Sequence, residues 1–180
     1  YLAARGFLGA RTLLAHCVHL APGEADLLAS SGTSVVHCPW TNLRLGSGIA
    51  DVPALLASGV GVFPASDGAA CNNRLDLSSA LRLAMSLASF MRSPASVAGR
   101  LWLKAATEGA GRILDTGNGT NDAGLHADIV LLEPSGAEAE ELEAAEDPVR
   151  YVLELDWPSR VRVVMVHGRV LYEDGALPTL

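Results

Sequence analysis

The sequence predicts an α/β fold built on parallel strands, and three observations support that prediction. Short apolar runs alternate with helix-like segments over residues 1–67. The runs are nearly continuous in apolar character, as expected for strands that are covered by helices on both faces of a parallel sheet. Each helix-like segment ends at a glycine before the next run begins. Repeated strand and helix units of this kind are typical of α/β domains.

Three strands and two helices are predicted in this first region. The first strand lies in "TLLAHCVHL", the second in "TSVVHCP" and the third in "VGVFPASD". The helix between the first two is "APGEADLLASSG", in which Pro22 and early acidic residues mark the start and Gly32 marks the end. The second helix, "GIADVPALLASG", ends at Gly59. The strand ends are therefore placed before helices, where parallel α/β folds carry their sites.

The middle of the chain predicts further helices. "DLSSALRLAMSLASFM" has Asp76 as its N-cap, and "SPASVAGRLWLKAAT" begins at Ser93 and Pro94. A short helix around "EGAGRIL" follows, and then "DTGNGTNDAG" predicts a loop.

The character of the sequence changes near residue 124. "ADIVLLE" predicts a strand, and "GAEAEELEAAEDP" is an acidic segment that we expect to be exposed. "VRVVMVHGRVLYEDG" predicts a hairpin that turns at His167 and Gly168. We therefore expect one unit over residues 1–123 and a small β unit over residues 124–180.

The composition limits the functions to consider. The 180 residues are 49% hydrophobic, enough for a core, and the net charge of −7 with no basic run argues against nucleic acid as a partner. No apolar stretch is long enough to cross a membrane. Three cysteines without CxxC spacing suit reduced thiols. We expect a cytoplasmic protein with a small-molecule substrate.

Polar side chains stand at the carboxyl end of each predicted strand: His16, His37 and Asp67. A lone histidine there is more often structural than catalytic. For His37, hydrogen bonds to its own sequence neighbours are a sufficient explanation. His19 falls just past its strand and is interpreted as a loop residue. The histidines of the β unit are interpreted as structural residues.

Asp67 has no counter-charge among its small neighbours, although a carboxylate is rarely buried without a partner or a metal ion. Either Asp67 caps a turn, or its partner lies elsewhere in space. The small neighbours favour the second alternative, because they let backbone and ligand approach closely. A histidine and an aspartate at strand ends suit hydrolysis assisted by Zn²⁺, which lowers the pKa of its bound water to about 7. The chain has no HxH, HExxH or cysteine cluster, so the spacing alone gives an incomplete ligand set.

Nearly the whole chain resembles the amidohydrolase superfamily, in its cytosine-deaminase-like branch. The residues that carry the resemblance are "LLAHCVHL", "SVVHCPWTNLRLGSGIADVPALLASGVGV", "ASDGAACNNRLDL", "ADIVLLE" and "VRVVMVHGRVLYEDG". That branch includes guanine deaminases, methylthioadenosine and adenosylhomocysteine deaminases, and triazine hydrolases. The resemblance implies a metal-dependent (β/α)₈ barrel with a small β domain.

The resemblance also implies roles for single residues. The three strands would be barrel strands six, seven and eight. Asp67 would contact the metal ion and act as base toward the attacking water. His16 would lie beside water and substrate and stabilise the transition state. Asn42, Leu43 and Ser66 would line the substrate pocket, Asn42 and Leu43 from the loop "PWTNLRLGSG".

The remaining metal ligands of such an enzyme would lie upstream of Tyr1. A complete barrel needs roughly 250 residues. We therefore expect this chain to be the carboxyl-terminal portion of the enzyme, with exposed sheet edges. The resemblance implies one Zn²⁺ or Fe²⁺ ion, and a homodimer in many members.

The leading prediction is an aminohydrolase that removes an exocyclic amine from a purine-like or related heterocycle. One alternative is a triazine-type hydrolase that releases chloride or an alkylamine with the same machinery. Another is a catalytically inactive chain, a structural remnant or a partner that completes another chain. A further alternative is an unrelated metal site within this chain, formed by His16, His19, His37 and Asp67.

Overall fold

The computed structural model, which describes residues 1–91 and 98–177, contains two three-stranded sheets. The first is parallel with the order β1-β2-β3 and confirms the three predicted strands: β1 (Leu13–Ala15), β2 (Ser34–His37) and β3 (Val62–Pro64). The second is antiparallel with the order β4-β5-β6: β4 (Ile129–Leu132), β5 (Val161–Val166) and β6 (Arg169–Glu173). The fold is mixed α/β, as predicted.

Helices follow the parallel strands and join the second sheet to the first. Those of the first region are α1 (Glu24–Ser31), α2 (Pro39–Arg44), α3 (Val52–Ala57), α4 (Ala69–Asn72) and α5 (Leu77–Met91). They continue with α6 (Gly99–Lys104), a π-helical segment (Ala105–Gly109) and α7 (Ala110–Leu114). The last three are α8 (Gly136–Ala144), α9 (Pro148–Glu154) and α10 (Trp157–Arg160). Within the described ranges, no helix has both the length and the apolar character needed to cross a membrane.

The predicted start and stop signals act as expected where they are described. Gly32 ends α1 with a φ of 74°, in the left-handed region that glycine adopts without strain. Asp76 precedes α5, and its Oδ1 accepts a hydrogen bond of 2.9 Å from the backbone N–H of Ser78. The predicted start at Ser93 and Pro94 lies outside the described residues.

The helices α2 and α8 are among those that the sequence pattern did not predict. The segment expected as a pocket loop begins with α2, because Pro39 at the first helical position already has a helical φ. The acidic segment is exposed as predicted but forms α8. Its start is a capping box, in which Ser135 and Glu138 exchange hydrogen bonds between side chain and backbone.

The hydrophobic core lies between the parallel sheet and the helices packed on its outer face. Val35 of β2 and Leu81 of α5 are fully buried, and Trp102 of α6 is 2% exposed. Leu153 of α9 is fully buried in the same cluster. This packing fixes the orientation of β1, β2 and β3, whose carboxyl ends carry the predicted site residues.

The hairpin of the second sheet turns where it was predicted. His167 and Gly168 have φ values of 49° and 73°, the two successive left-handed residues of a type I′ turn. The carboxylate of Asp128 accepts hydrogen bonds from the His167 backbone N–H at 2.7 Å and from the Asn118 amide at 2.6 Å. The rings of His126 and His167 lie 4.2 Å apart. These contacts attach the loop before β4 to the hairpin turn.

Both edges of the parallel sheet are open within the described part of the chain. β1 and β3 each pair only with β2. The second sheet also exposes apolar side chains of β4, including Val130 at 55% and Leu131 at 53%. The open edges of the parallel sheet agree with the expectation of exposed sheet edges.

Candidate active site

His16 and Asp67 lie at the carboxyl ends of β1 and β3, on either side of the central strand. The His16 backbone N–H donates to the Val36 carbonyl at 2.9 Å, which continues the strand pairing by one residue. His16 and Asp67 have φ values of 69° and 63°. Left-handed backbone at residues other than glycine costs free energy and is common where side chains are held for function. Here the left-handed backbone turns the side chains of His16 and Asp67 toward the space between the ends of β1 and β3.

The side chains of His16 and Asp67 face each other. Nε2 of His16 lies 3.9 Å from Oδ2 of Asp67, and the two side chains are 40% and 27% exposed. Oδ1 of Asp67 accepts a hydrogen bond of 2.6 Å from the Gly68 backbone N–H. The left-handed turn thus brings the following N–H onto the Asp67 side chain as a local hydrogen-bond partner, and His16 faces the same carboxylate from another strand end.

The pKa of Asp67 lies below its ordinary value. The largest cause is the hydrogen bond from Gly68, followed by the nearby Thr41 hydroxyl and, more weakly, by the charge of His16. The Thr41 oxygen has no full hydrogen bond to any described residue. Asp67 is thus an ionised acceptor at neutral pH, as a metal ligand or proton acceptor must be.

Asn42 holds the ring of His16. Asn42 is 1% exposed on α2, and its Oδ1 lies 2.8 Å from Nδ1 of His16. A carbonyl oxygen only accepts hydrogen bonds, so this contact requires a proton on Nδ1 and leaves the Nε2 lone pair free toward Asp67. Asn42 was predicted to line the substrate pocket, and the structure places its amide behind His16.

A buried asparagine clamps the turn that carries Asp67. Nδ2 of Asn72 donates to the Ser66 carbonyl at 2.8 Å, and the Asn72 carbonyl accepts from Nη1 of Arg44 at 2.6 Å. The Ser66 hydroxyl donates to the Asp67 carbonyl at 3.2 Å. The turn after β3 is therefore attached to the end of α2. Sequence reasoning missed this role of Asn72, although the "CNN" that follows Asp67 offered polar side chains near the turn.

The other predicted residues occupy different surroundings. Leu43 is 41% exposed and His19 is exposed. His37 is 1% exposed beside Trp102, with ring centroids 6.4 Å apart. Burial and, to a lesser extent, the charge of His16 lower the pKa of His37 to about 4, so this ring is neutral.

Cys38 lies close to His16 and Asp67, a position that sequence reasoning missed. His16, Cys38 and Asp67 each present one ligand atom, and these atoms all lie within 4.8 Å of one another. No other such group occurs among the described residues. The predicted internal metal set of His16, His19, His37 and Asp67 is therefore wrong, because His37 at the end of β2 is buried beside Trp102 and Cys38 comes next to Asp67.

The donor chemistry at this edge fits a metal ion. The free lone pair on Nε2 of His16 and the oxygen Oδ2 of Asp67 both face the space between β1 and β3. Imidazole nitrogen and carboxylate oxygen are ligands of zinc and of iron. The two groups leave room for further ligands from outside this part of the chain.

The sequence matches a known family over most of its length. The profile of the amidohydrolase family matches residues 1–171. A 5-methylthioadenosine/S-adenosylhomocysteine deaminase of Halobacterium salinarum is 37% identical over 175 residues, which are 97% of this chain and 40% of that protein. The chain thus spans about 40% of the length of this relative.

Solved structures match the fold as well. An adenosine deaminase from Xanthomonas campestris with bound zinc has a TM-score of 0.91 and 30% identity, over 99% of this chain and 41% of that one. An atrazine chlorohydrolase from Arthrobacter aurescens, in complex with zinc, has a TM-score of 0.83 and 28% identity, over 96% of this chain and 38% of that one.

Proposed function

Because this chain belongs to the amidohydrolase family, we propose that it supplies the carboxyl-terminal portion of a metal-dependent aminohydrolase. The proposed reaction is hydrolytic removal of an exocyclic amine from a purine-like or related heterocycle. The observation that carries the proposal is the pair of His16 and Asp67, whose Nε2 and Oδ2 atoms face each other at 3.9 Å. The names of relatives at 30% to 37% identity, which are deaminases, support the same reaction.

In this proposal β1, β2 and β3 are barrel strands six, seven and eight. Their parallel order and their open edges suit three neighbouring strands of a barrel. Residues 1–123 would belong to the barrel, and residues 124–180 would form part of a small composite β domain. The exposed apolar side chains of β4 would be covered by the rest of that domain.

Asp67 would hold one Zn²⁺ or Fe²⁺ ion through Oδ2, with most ligands supplied upstream of Tyr1. Two of the solved relatives contain zinc, which favours that ion. Such an ion polarises the substrate and lowers the pKa of water. The hydrogen bond from Gly68 occupies Oδ1 and so leaves Oδ2 as the ligand atom.

Asp67 and His16 would move the protons of the reaction. The carboxylate of Asp67 would accept one proton from the attacking water and pass it to the amine, which leaves as ammonia. The Nε2 lone pair of His16 would accept a hydrogen bond from the same water and then its second proton. While His16 holds that proton, its positive charge offsets the negative charge that develops on the heterocycle, and the proton finally moves to a ring nitrogen, which leaves a carbonyl on the ring.

Substrate contacts are assigned to His16, Asn42, Leu43 and Ser66. Leu43 presents an exposed apolar side chain from the same helix as Asn42, and Ser66 precedes Asp67. Asn42 would act mainly by orienting His16, since its amide is buried behind the ring. The net charge of −7 without a basic run, and the lack of a long apolar stretch in the sequence, lead us to expect neither nucleic acid nor membrane as a partner. Cytoplasmic location and a homodimer also remain predictions.

The test uses the chain together with its upstream coding sequence, called the extended protein below. Methylthioadenosine, adenosine, guanine and cytosine are supplied separately, and released ammonia is measured. We expect turnover of at least one substrate by the extended protein and none by the isolated 180 residues. Turnover by the isolated chain would contradict the proposal, because the principal metal ligands would be missing.

A triazine-type hydrolase is the second candidate, supported by the likeness to an atrazine chlorohydrolase. The same residues would serve, and the leaving group would be chloride or an alkylamine. Chloride release from atrazine by the extended protein, without ammonia release from any purine, would select this reaction.

A chain without catalysis, acting as a remnant or as the completing partner of another chain, is the third candidate. The open edges of β1 and β3 support it. An extended protein that lacks turnover with every substrate above would favour it.

His37→Ala adds a check on the metal: the extended protein should keep its zinc, since the proposal gives His37 no ligand role.

A further inference from the structure

We propose that His126 and His167 form a two-histidine site for one late first-row divalent cation, Zn²⁺ or Ni²⁺. The site lies where the loop before β4 meets the hairpin turn between β5 and β6. The two ring centroids are 4.2 Å apart, and both residues are exposed. This inference goes beyond the proposed deamination and does not depend on it, because that reaction uses neither histidine.

Backbone hydrogen bonds place the two histidines side by side. The Gly168 N–H of the hairpin turn donates to the Ala127 carbonyl at 3.0 Å, directly after His126 in the sequence. The His167 N–H donates to the Asp128 carboxylate at 2.7 Å. The loop and the turn are therefore already joined, and a cation would bind two ligands that the fold has brought together.

The ring nitrogens are available to a cation. No described residue forms a hydrogen bond with a ring nitrogen of His126 or His167. The Gly117 carbonyl accepts from the His126 backbone N–H at 3.0 Å, and Gly117 also makes room for the ring. A Cβ at Gly117 would lie 2.9 Å from Cδ2 of His126. The Nδ1 atom is on the opposite side of the ring from Cδ2, so we assign Nδ1 of His126 as one ligand atom.

The separation of the rings suits two ligands of one ion. Zinc binds imidazole nitrogen at about 2.0 to 2.1 Å, so two imidazoles on one ion have centroids about 4.5 to 5 Å apart. The centroids of His126 and His167 need a movement of roughly 0.5 Å, which exposed side chains make by rotating about their own bonds. Water would complete the coordination, because no third His, Cys, Asp or Glu among the described residues brings a ligand atom to both rings.

Charge and ligand type select the cation. The Asp128 carboxylate places a negative charge beside the pair, held there by the His167 N–H and by the Asn118 amide at 2.6 Å. This charge attracts a cation to the two rings. Imidazole nitrogens favour zinc and nickel over Mg²⁺ and Ca²⁺, which prefer oxygen ligands. A bound ion would link the loop before β4 to the hairpin turn and so stabilise the second sheet.

Chemical modification tests the two ligands separately. The chain is treated with diethyl pyrocarbonate with and without Ni²⁺, and mass spectrometry of its peptides measures the modification of each histidine. Ni²⁺ at about ten times its Kd should slow the modification of His126 and His167 by about tenfold. The exposed His19 should react at the same rate with and without the ion.

Single variants show whether the two rings bind the same ion. In His126→Asn, Ni²⁺ should no longer protect His167, because one imidazole alone binds about a hundredfold more weakly than the linked pair. In His167→Asn, the ion should no longer protect His126. Ni²⁺ that protects neither ring in wild type, or that protects His167 equally well in His126→Asn, would overturn the inference.

Equilibrium dialysis of the extended protein provides a second measurement, which also covers a chain that precipitates alone. Wild type should bind one more Ni²⁺ ion than His126→Asn or His167→Asn, whereas the matched control His19→Asn should equal wild type. The same number of nickel ions in wild type and in both site variants would contradict the site. Ammonia release plays no part in this readout. An extended protein that binds the additional ion but deaminates nothing would therefore remove the proposed function and leave this site in place.

Discussion

The imidazole of His16 is oriented by a buried amide: Nδ1 of His16 lies 2.8 Å from Oδ1 of Asn42. The two residues come from different elements, the end of β1 and the first turns of α2. Asn42 is 1% exposed, so its amide cannot turn freely toward water. The contact fixes the tautomer of His16 and directs Nε2 at Asp67.

Asn42→Ala should therefore impair catalysis more than stability. Loss of the acceptor frees the His16 ring, and we expect the kcat of the extended protein to fall by about ten- to a hundredfold. The lost hydrogen bond should lower the free energy of unfolding by only about 1 kcal/mol. Asn42→Asp keeps an acceptor oxygen and should restore much of the rate. Imidazole ¹⁵N shifts of His16 that are the same in wild type and Asn42→Ala would contradict the assignment of the tautomer.

The clamp on the Asp67 turn leads to a second prediction. Asn72→Ala removes the donor to the Ser66 carbonyl and should lower kcat by about tenfold as the turn loosens. Asn118→Ala is the matched control, because it removes an amide hydrogen bond to Asp128 in the loop before β4. Steady-state rates and urea unfolding of both variants are compared. Equal effects on kcat would show that Asn72 has no specific link to the site.

The cap of α5 leads to a third prediction. Asp76 accepts hydrogen bonds from the backbone N–H groups of Ser78 and Ser79 and from the Ser78 hydroxyl. Asp76→Ala should lower the free energy of unfolding by about 1 kcal/mol, measured by urea denaturation. Asp76→Asn keeps an acceptor oxygen, so its free energy of unfolding should fall by much less. If Asp76→Asn lowered the free energy of unfolding as much as Asp76→Ala does, the charge of Asp76 and not its capping hydrogen bonds would provide the stability.

The ion pair at the start of α8 leads to a prediction about pH. Nε and Nη2 of Arg160 donate to the Glu138 carboxylate at 2.5 and 2.9 Å, and with the Ser135 N–H they lower the Glu138 pKa to about 2. Because the pKa of Glu138 in the folded protein lies below its ordinary value of 4.5, the ion pair stabilises the folded protein at pH values above 4.5. The stabilisation is lost as the pH falls from about 4.5 toward 2. In thermal unfolding, the Tm of wild type should lie above the Tm of Glu138→Gln at pH 7. This difference in Tm should shrink below pH 4.5.

The exposed Glu140 on the same helix is the control for this effect. Glu140→Gln should leave the Tm and its pH dependence nearly unchanged. A Glu138→Gln variant whose Tm differs from wild type by the same amount at pH 7 and pH 3 would contradict the role of the ion pair.

The parallel strands were predictable because their signal is local. Apolar runs, glycines after helices and the cap at Asp76 each act within a few residues, and the structure confirms them. The helices α2, α9 and α10 were not predicted, because each is short and has a proline in its first turn instead of an apolar periodicity. The capping box at Ser135 was a local signal for α8 that could have been recognised.

The candidate site was partly predictable for a similar reason. Strand ends pointed to His16 and Asp67, and the structure brings them together. The positions of Cys38 and Asn42 depend on the orientation of β2 and α2 relative to β1, which no local pattern specifies. His37 and Cys38 are neighbours in sequence, yet only Cys38 lies beside Asp67.

Ammonia release by the extended protein, compared between wild type and Asp67→Asn, tests the central claim most directly. Asp76→Asn serves as the control, since it makes the same chemical change at a helix cap away from the site. The proposed role of Asp67 predicts that its variant loses at least about a hundredfold in kcat while the Asp76 variant stays near the wild-type rate. An Asp67→Asn variant that deaminates at the wild-type rate would contradict the account.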